Sequence, residues 1–252
     1  MIISVINITN GAVADKDLQR ALRAVNRQIS EDFAPYWGFG SQLRLEGRAG
    51  GGKDRVNLPD MRGDAVLYLQ DVLKVAEVEG YHARHFSGVP YSFVFLELSR
   101  KLNEDWTVTL SHEALELTGD AEDNLLVQGP DPRNPKDTVF HWFEMCDAVQ
   151  NESYLIDGVG VSNFVLPLFF TSSEERGGRN DFLGTVTEGQ TLRSFSANPG
   201  GYIGFFDPKI NGHEQWSPPD DAVAKARRKI KKDAGSGRGQ RRMHLLTHKA
   251  VG

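Results

Sequence analysis

Ser111-His-Glu-Ala-Leu-Glu-Leu-Thr-Gly-Asp120 is the stretch around which the chain organises. Ser111 is a suitable N-cap, and Ala114, Leu115 and Leu117 favour a helix behind it. At about 100° per residue, with His112 set to zero, Glu116 falls near 40°, Asp120 near 80° and Glu113 near 100°. Leu110, Ala114, Leu117 and Ala121 gather between about 140° and 200°. The helix therefore carries one apolar face and one narrow face of titratable groups. Residues four apart stand one above the other, so His112 and Glu116 can grip one ion. An imidazole nitrogen and a carboxylate oxygen are both zinc donors. Glu113, displaced around the helix, is placed to reach a metal-bound water, where a general base belongs. Asp120 shares the face of His112 and Glu116 and is the expected third ligand.

Working outward, Trp106-Thr-Val-Thr-Leu110 has the β-branched pattern of a strand leading straight into that helix. At the other end of the chain Ile2–Ile8 reads as a strand, followed by the turn residues Thr9-Asn10-Gly11. Asp15 or Asp17 can cap a helix whose Leu18, Leu22, Val25, Ile29 and Phe33 recur at helical spacing, with Pro35 ending it. Strands are expected at 42–46, 65–70 and 90–98. Between the last two lies a glycine-bounded loop with His82 and His85, and His82 is a candidate for lining a cleft. Alternating segments follow at 139–149, 154–156 and 159–164, the last two joined by the hairpin turn Asp157-Gly158. Beyond these, short strands and irregular structure run to Trp216, with Tyr202 as a second candidate for a cleft wall, able to donate to an oxyanion. The division expected is one α+β domain over residues 1–216 and a basic, flexible tail over 217–252.

Composition narrows the chemistry. The chain has 252 residues, 39% hydrophobic and 25% charged, which is enough to bury a core without staples. One cysteine, Cys146, excludes a disulfide framework and a four-cysteine zinc site. Residues 221–252 hold ten Lys/Arg and two acids, a balance of +8, which leaves −13 on residues 1–220. An acidic body argues against a nucleic-acid-binding domain, although the tail can meet an acidic partner. The glycine run Arg48–Lys53 lacks the spacing of a phosphate loop, since Asp54 follows Lys53. No apolar run approaches the roughly 18 residues of a membrane span, and the first residues lack a basic signal region, so the cytoplasm is the default location.

The motif resembles the His-Glu-x-x-His helix of the zincin metallopeptidases, which carries two histidine ligands and a glutamate base. Here it reads His112-Glu113-Ala114-Leu115-Glu116, an HExxE variant with glutamate as the second ligand. Gly119 stands where the metzincin form has a glycine that stops the helix, and that form's third ligand would fall on Glu122. Another zincin branch takes its third ligand from a glutamate downstream, a part open to Glu144 in Phe140-His-Trp-Phe-Glu-Met-Cys-Asp147, with His141 and Asp147 as further candidates. The chain is also similar to a zincin-like group sharing Ser-His-Glu-x-x-Glu, a following Asp and a downstream Glu-x-x-Asp, here Ser111, His112, Glu113, Glu116, Asp120, Glu144 and Asp147. The resemblance implies a zincin-like mixed sheet with an N-terminal strand–helix–strand unit and an active-site helix. It further implies a zinc-dependent peptidase acting on a peptide or protein. Carboxylate ligands also suit other divalent ions. Two rival functions stand beside it: a zincin-like binding or assembly module without catalysis, and a nucleic-acid-associated protein acting through the tail.

Overall fold

A computed structural model describes residues 1–46, 63–71, 89–171, 178–187, 189–218, 222, 225 and 226. His82, His85, the glycine run 48–53 and nearly all of the basic tail lie outside the described residues. The fold is α+β, and the region expected as one domain comprises two compact units. The first holds Met1–Ala121 and Leu155–Val161, the second Glu122–Tyr154 and the residues from Ser162 onward.

The first unit is built on a sheet of four parallel strands in the order β2-β1-β3-β4. They are β1 (Ile2–Ile8), β2 (Gln42–Leu45), β3 (Ala65–Gln70) and β4 (Tyr91–Phe95). Ile3, Val5, Leu67, Leu69 and Val94 on this sheet are buried, as are Leu18, Leu22 and Val25 of helix α1 (Asp15–Arg27). The alternate residues Ile6, Val66 and Tyr68 cluster separately with Ile8, Tyr91 and Phe93, as expected of a parallel sheet apolar on both faces. The expected strand–helix–strand unit is thus present as β1–α1–β2, with Ala14 rather than an aspartate at the N-cap and Asp15 and Asp17 in the first turn.

The structure departs from the sequence pattern in further places, among them the alternating segment expected over 139–149, which is a strand only as far as Trp142 and holds a 3-10 turn at Asp147–Val149. Pro35 does not end the first helix. A π-helical turn, Gln28–Phe33, carries the chain into the short helix α2 (Ala34–Trp37), with Pro35 as its second residue. The stop comes at Gly38, in the left-handed conformation at φ 74°. The strand expected at 90–98 ends at Phe95, and helix α3 (Leu96–Leu102) begins at once. Most important for the site, Trp106–Leu110 is not a strand. Helix α4 spans Trp106–Gly119, capped by Asp105, whose side chain accepts from the Thr107 N–H at 3.0 Å. The β-branched residues that suggested a strand are used differently: Thr107 is buried and donates its hydroxyl to the Gly160 carbonyl at 2.9 Å, and the Thr109 and Ser99 hydroxyls meet at 3.2 Å. Tertiary partners outweigh local propensity in this segment.

In the second unit β5 (Leu126–Pro130), β6 (Thr138–Trp142), β9 (Ile203–Asp207) and β10 (Gly212–Trp216) form an antiparallel sheet in the order β10-β9-β6-β5. Parallel and antiparallel pairing are therefore both present but lie in separate sheets. Arg133 binds Asp131 at 2.7 Å and Asp207 at 2.6 Å, reaches Glu214, and lies 5.0 Å above the Phe205 ring. The hairpin of β7 (Ser153–Ile156) and β8 (Val159–Ser162) turns at Asp157 and Gly158, both with positive φ as a two-residue turn of this type requires. Its tip belongs to the first unit, where Arg27 pairs with Asp157 at 2.7 Å.

Candidate metal centre

Helix α4 packs against β3, β4 and α1. Its apolar residues Leu110, Ala114 and Leu117 are fully buried, as the wheel requires. The titratable face is buried as well. His112 is 7% exposed, Glu113 8%, Glu116 2% and Asp120 2%, so this is not a solvated helix face. Ser111 is inside the helix rather than its cap, and its hydroxyl donates to the Gln28 side chain of the π-helical turn at 2.6 Å. That buried bond fixes α4 against the first helix immediately beside His112.

His112, Glu113 and Glu116 each offer one donor atom, and these three atoms lie within 4.8 Å of one another. His112 Nε2 stands 3.0 Å from Glu116 Oε1, one helical turn away. Two ligands about 2.0–2.1 Å from a tetrahedral zinc are about 3.3 Å apart, so this pair needs little adjustment to share an ion. An imidazole and two carboxyl groups gathered in a buried setting form a donor set that suits a divalent cation. The buried group could hold a metal ion.

Sequence reasoning thus found the three residues that come together, though it placed Asp120 rather than Glu113 beside the first two. Asp120 is buried at the C-cap of α4, where its N–H donates to the Glu116 carbonyl at 2.8 Å, and it is not one of the three. Glu122, at the metzincin spacing, is solvent-exposed. His141, Glu144 and Asp147 line one small cleft of the second unit together with Tyr202, the expected cleft-wall residue. All four are buried there. His141 Nε2 is engaged by the Pro130 carbonyl at 2.9 Å, and burial pushes the imidazole pKa down to about 4, so the ring is neutral at pH 7. Met145 and Cys146 are fully buried in the core.

One residue at the site escaped sequence reasoning. Ser92 on β4 is 1% exposed, and its hydroxyl donates to Glu113 Oε2. The available signal was a lone serine among the aromatic and apolar residues of Tyr91-Ser-Phe-Val-Phe95. Among the described residues no helix is long and apolar enough to cross a membrane. Comparison of the chain with protein-family models, curated proteins and solved structures gives no match.

Proposed function

We propose that this chain is a zincin-like, metal-dependent hydrolase that cleaves peptide bonds with zinc at the His112/Glu116 pair and Glu113 as general base. The observation that carries the reading is the burial of an imidazole and two carboxylates, with donor atoms within 4.8 Å, on one helix. Structural ion pairs also bury carboxylates, but three such groups in the HExxE order match the division of labour that hydrolysis needs. The likeness to zincins supports the peptide substrate, and the β1–α1–β2 unit before the helix agrees with that likeness.

A zinc ion bound there would supply Lewis acidity. His112 and Glu116 are the residues that would hold it. The Glu113 carboxylate takes the proton of the attacking water and passes it to the leaving amine. Burial of the trio on α4 excludes bulk water and strengthens each of these interactions.

Replacing Glu113 with Gln tests the assignment. It keeps volume and hydrogen bonding but removes the base, so chelator-sensitive cleavage of labelled casein should fall by about 10²–10⁴-fold with the metal retained. Loss of the metal along with activity would contradict the division of roles. Wild-type protein that takes up no metal would favour the non-catalytic binding module.

A further inference from the structure

We infer that Ser92 is a positioning residue that holds Glu113 as a base and keeps its carboxylate from closing on the ion as an additional ligand. This rests on the metal-site reading above. Glu113 and Glu116 are the same chemical group, and both present a donor atom within 4.8 Å of the others. Side-chain type therefore cannot decide which carboxylate binds metal and which moves a proton. Their partners differ. Glu116 lies against His112 Nε2, within its own helix, at 3.0 Å. Glu113 Oε2 instead accepts the hydroxyl of Ser92, which belongs to a different element.

The setting of Ser92 makes that contact a directed one. In the sheet register Ser92 pairs with Leu67, which itself pairs with Val5, and Val94 follows two residues on along β4. The four residues share one face of the sheet, and the other three are buried and apolar. A lone hydroxyl at 1% exposure on such a face costs about 1–3 kcal/mol unless it is hydrogen-bonded. Here it is satisfied by Glu113. The bond joins β4 to α4, so the carboxylate is tethered to the sheet rather than left to rotate on its own helix. With one oxygen held this way, Glu113 is restrained beside the ion, while His112 and Glu116 hold it.

The test uses Co²⁺ in place of the native ion, because its visible bands weaken as coordination rises above four. Ser92→Thr and Ser92→Val have nearly the same volume and differ in the hydroxyl, so packing strain cancels between them. Ser92→Thr should keep the wild-type Co²⁺ spectrum. Ser92→Val and Ser92→Ala should lose about half the band intensity as Glu113 joins the ion. Their kcat on labelled casein should fall by about 10–100-fold with KM unchanged. In a Glu113→Gln background, Ser92→Ala should cause no further change in spectrum or kcat. A wild-type spectrum in Ser92→Val, or an equal effect of Ser92→Ala in the Glu113→Gln background, overturns the inference. Wild-type protein that binds Co²⁺ but leaves casein intact counts against peptide hydrolysis alone, and the spectra still decide the role of Ser92. Wild-type protein that takes up no Co²⁺ overturns both.

Discussion

His141 couples the stability of the second unit to pH, and the size of the effect can be worked out from its surroundings. The ring is 2% exposed on β6, with the Phe195 and Phe205 rings at 4.6 and 5.8 Å and its Nε2 on the Pro130 carbonyl. Desolvation lowers its pKa to about 4 from 6.5, outweighing the opposing pull of the Pro130 carbonyl and of Asp131. The folded pKa lies below the unfolded one. Between these values the unfolded chain binds a proton that the folded chain refuses, and stability rises with pH. The contribution is fully present above 6.5 and is lost progressively as pH falls towards 4. Between pH 7 and pH 5 the loss is about 2 kcal/mol, approaching about 3 kcal/mol below pH 4.

The perturbation is His141→Gln, whose side-chain amide can still donate to the Pro130 carbonyl but does not titrate. Urea unfolding followed by tryptophan fluorescence at pH 7 and pH 5 gives the four stabilities required. The wild type should lose about 2 kcal/mol more than the variant on acidification, because other titrating groups cancel in the difference. Equal losses would refute the reasoning, since they would mean that the buried ring accepts its proton as readily folded as unfolded.

Other consequences are local. Removing the cap of helix α4 with Asp105→Ala should lower stability by about 1 kcal/mol, read as a drop in the urea midpoint, because the Thr107 N–H loses its acceptor. Gly204→Ala should cost about 1–3 kcal/mol by the same assay, because a Cβ there would collide with the Trp142 ring across the antiparallel sheet.

Much of the architecture was legible in local patterns. The parallel strands over 2–8, 42–45 and 65–70 are apolar runs bounded by turn residues, and the Asp157-Gly158 turn follows from two positions that need positive φ. Helix α4 was legible in its periodicity, but its start was not. Thr107, Val108 and Thr109 favour a strand in isolation, and the contacts made by their side chains in the helix include one from Thr107 to Gly160, 53 residues away. Ser92 was hidden for the same reason, because its importance lies in a contact to a residue 21 positions later. The burial of the acidic face was equally out of reach, since spacing places groups on one side of a helix without saying what covers them. Glu122 shows the reverse case: at the metzincin spacing, it is exposed to solvent.

The central claim is that His112, Glu113 and Glu116 surround an ion, and counting that ion tests it most directly. Protein equilibrated with zinc and freed of excess should carry about one zinc per chain by elemental analysis, and His112→Ala and Glu116→Ala should each carry less than about a tenth of that. Wild-type protein without stoichiometric metal, or variants that hold as much as the wild type, would contradict the account.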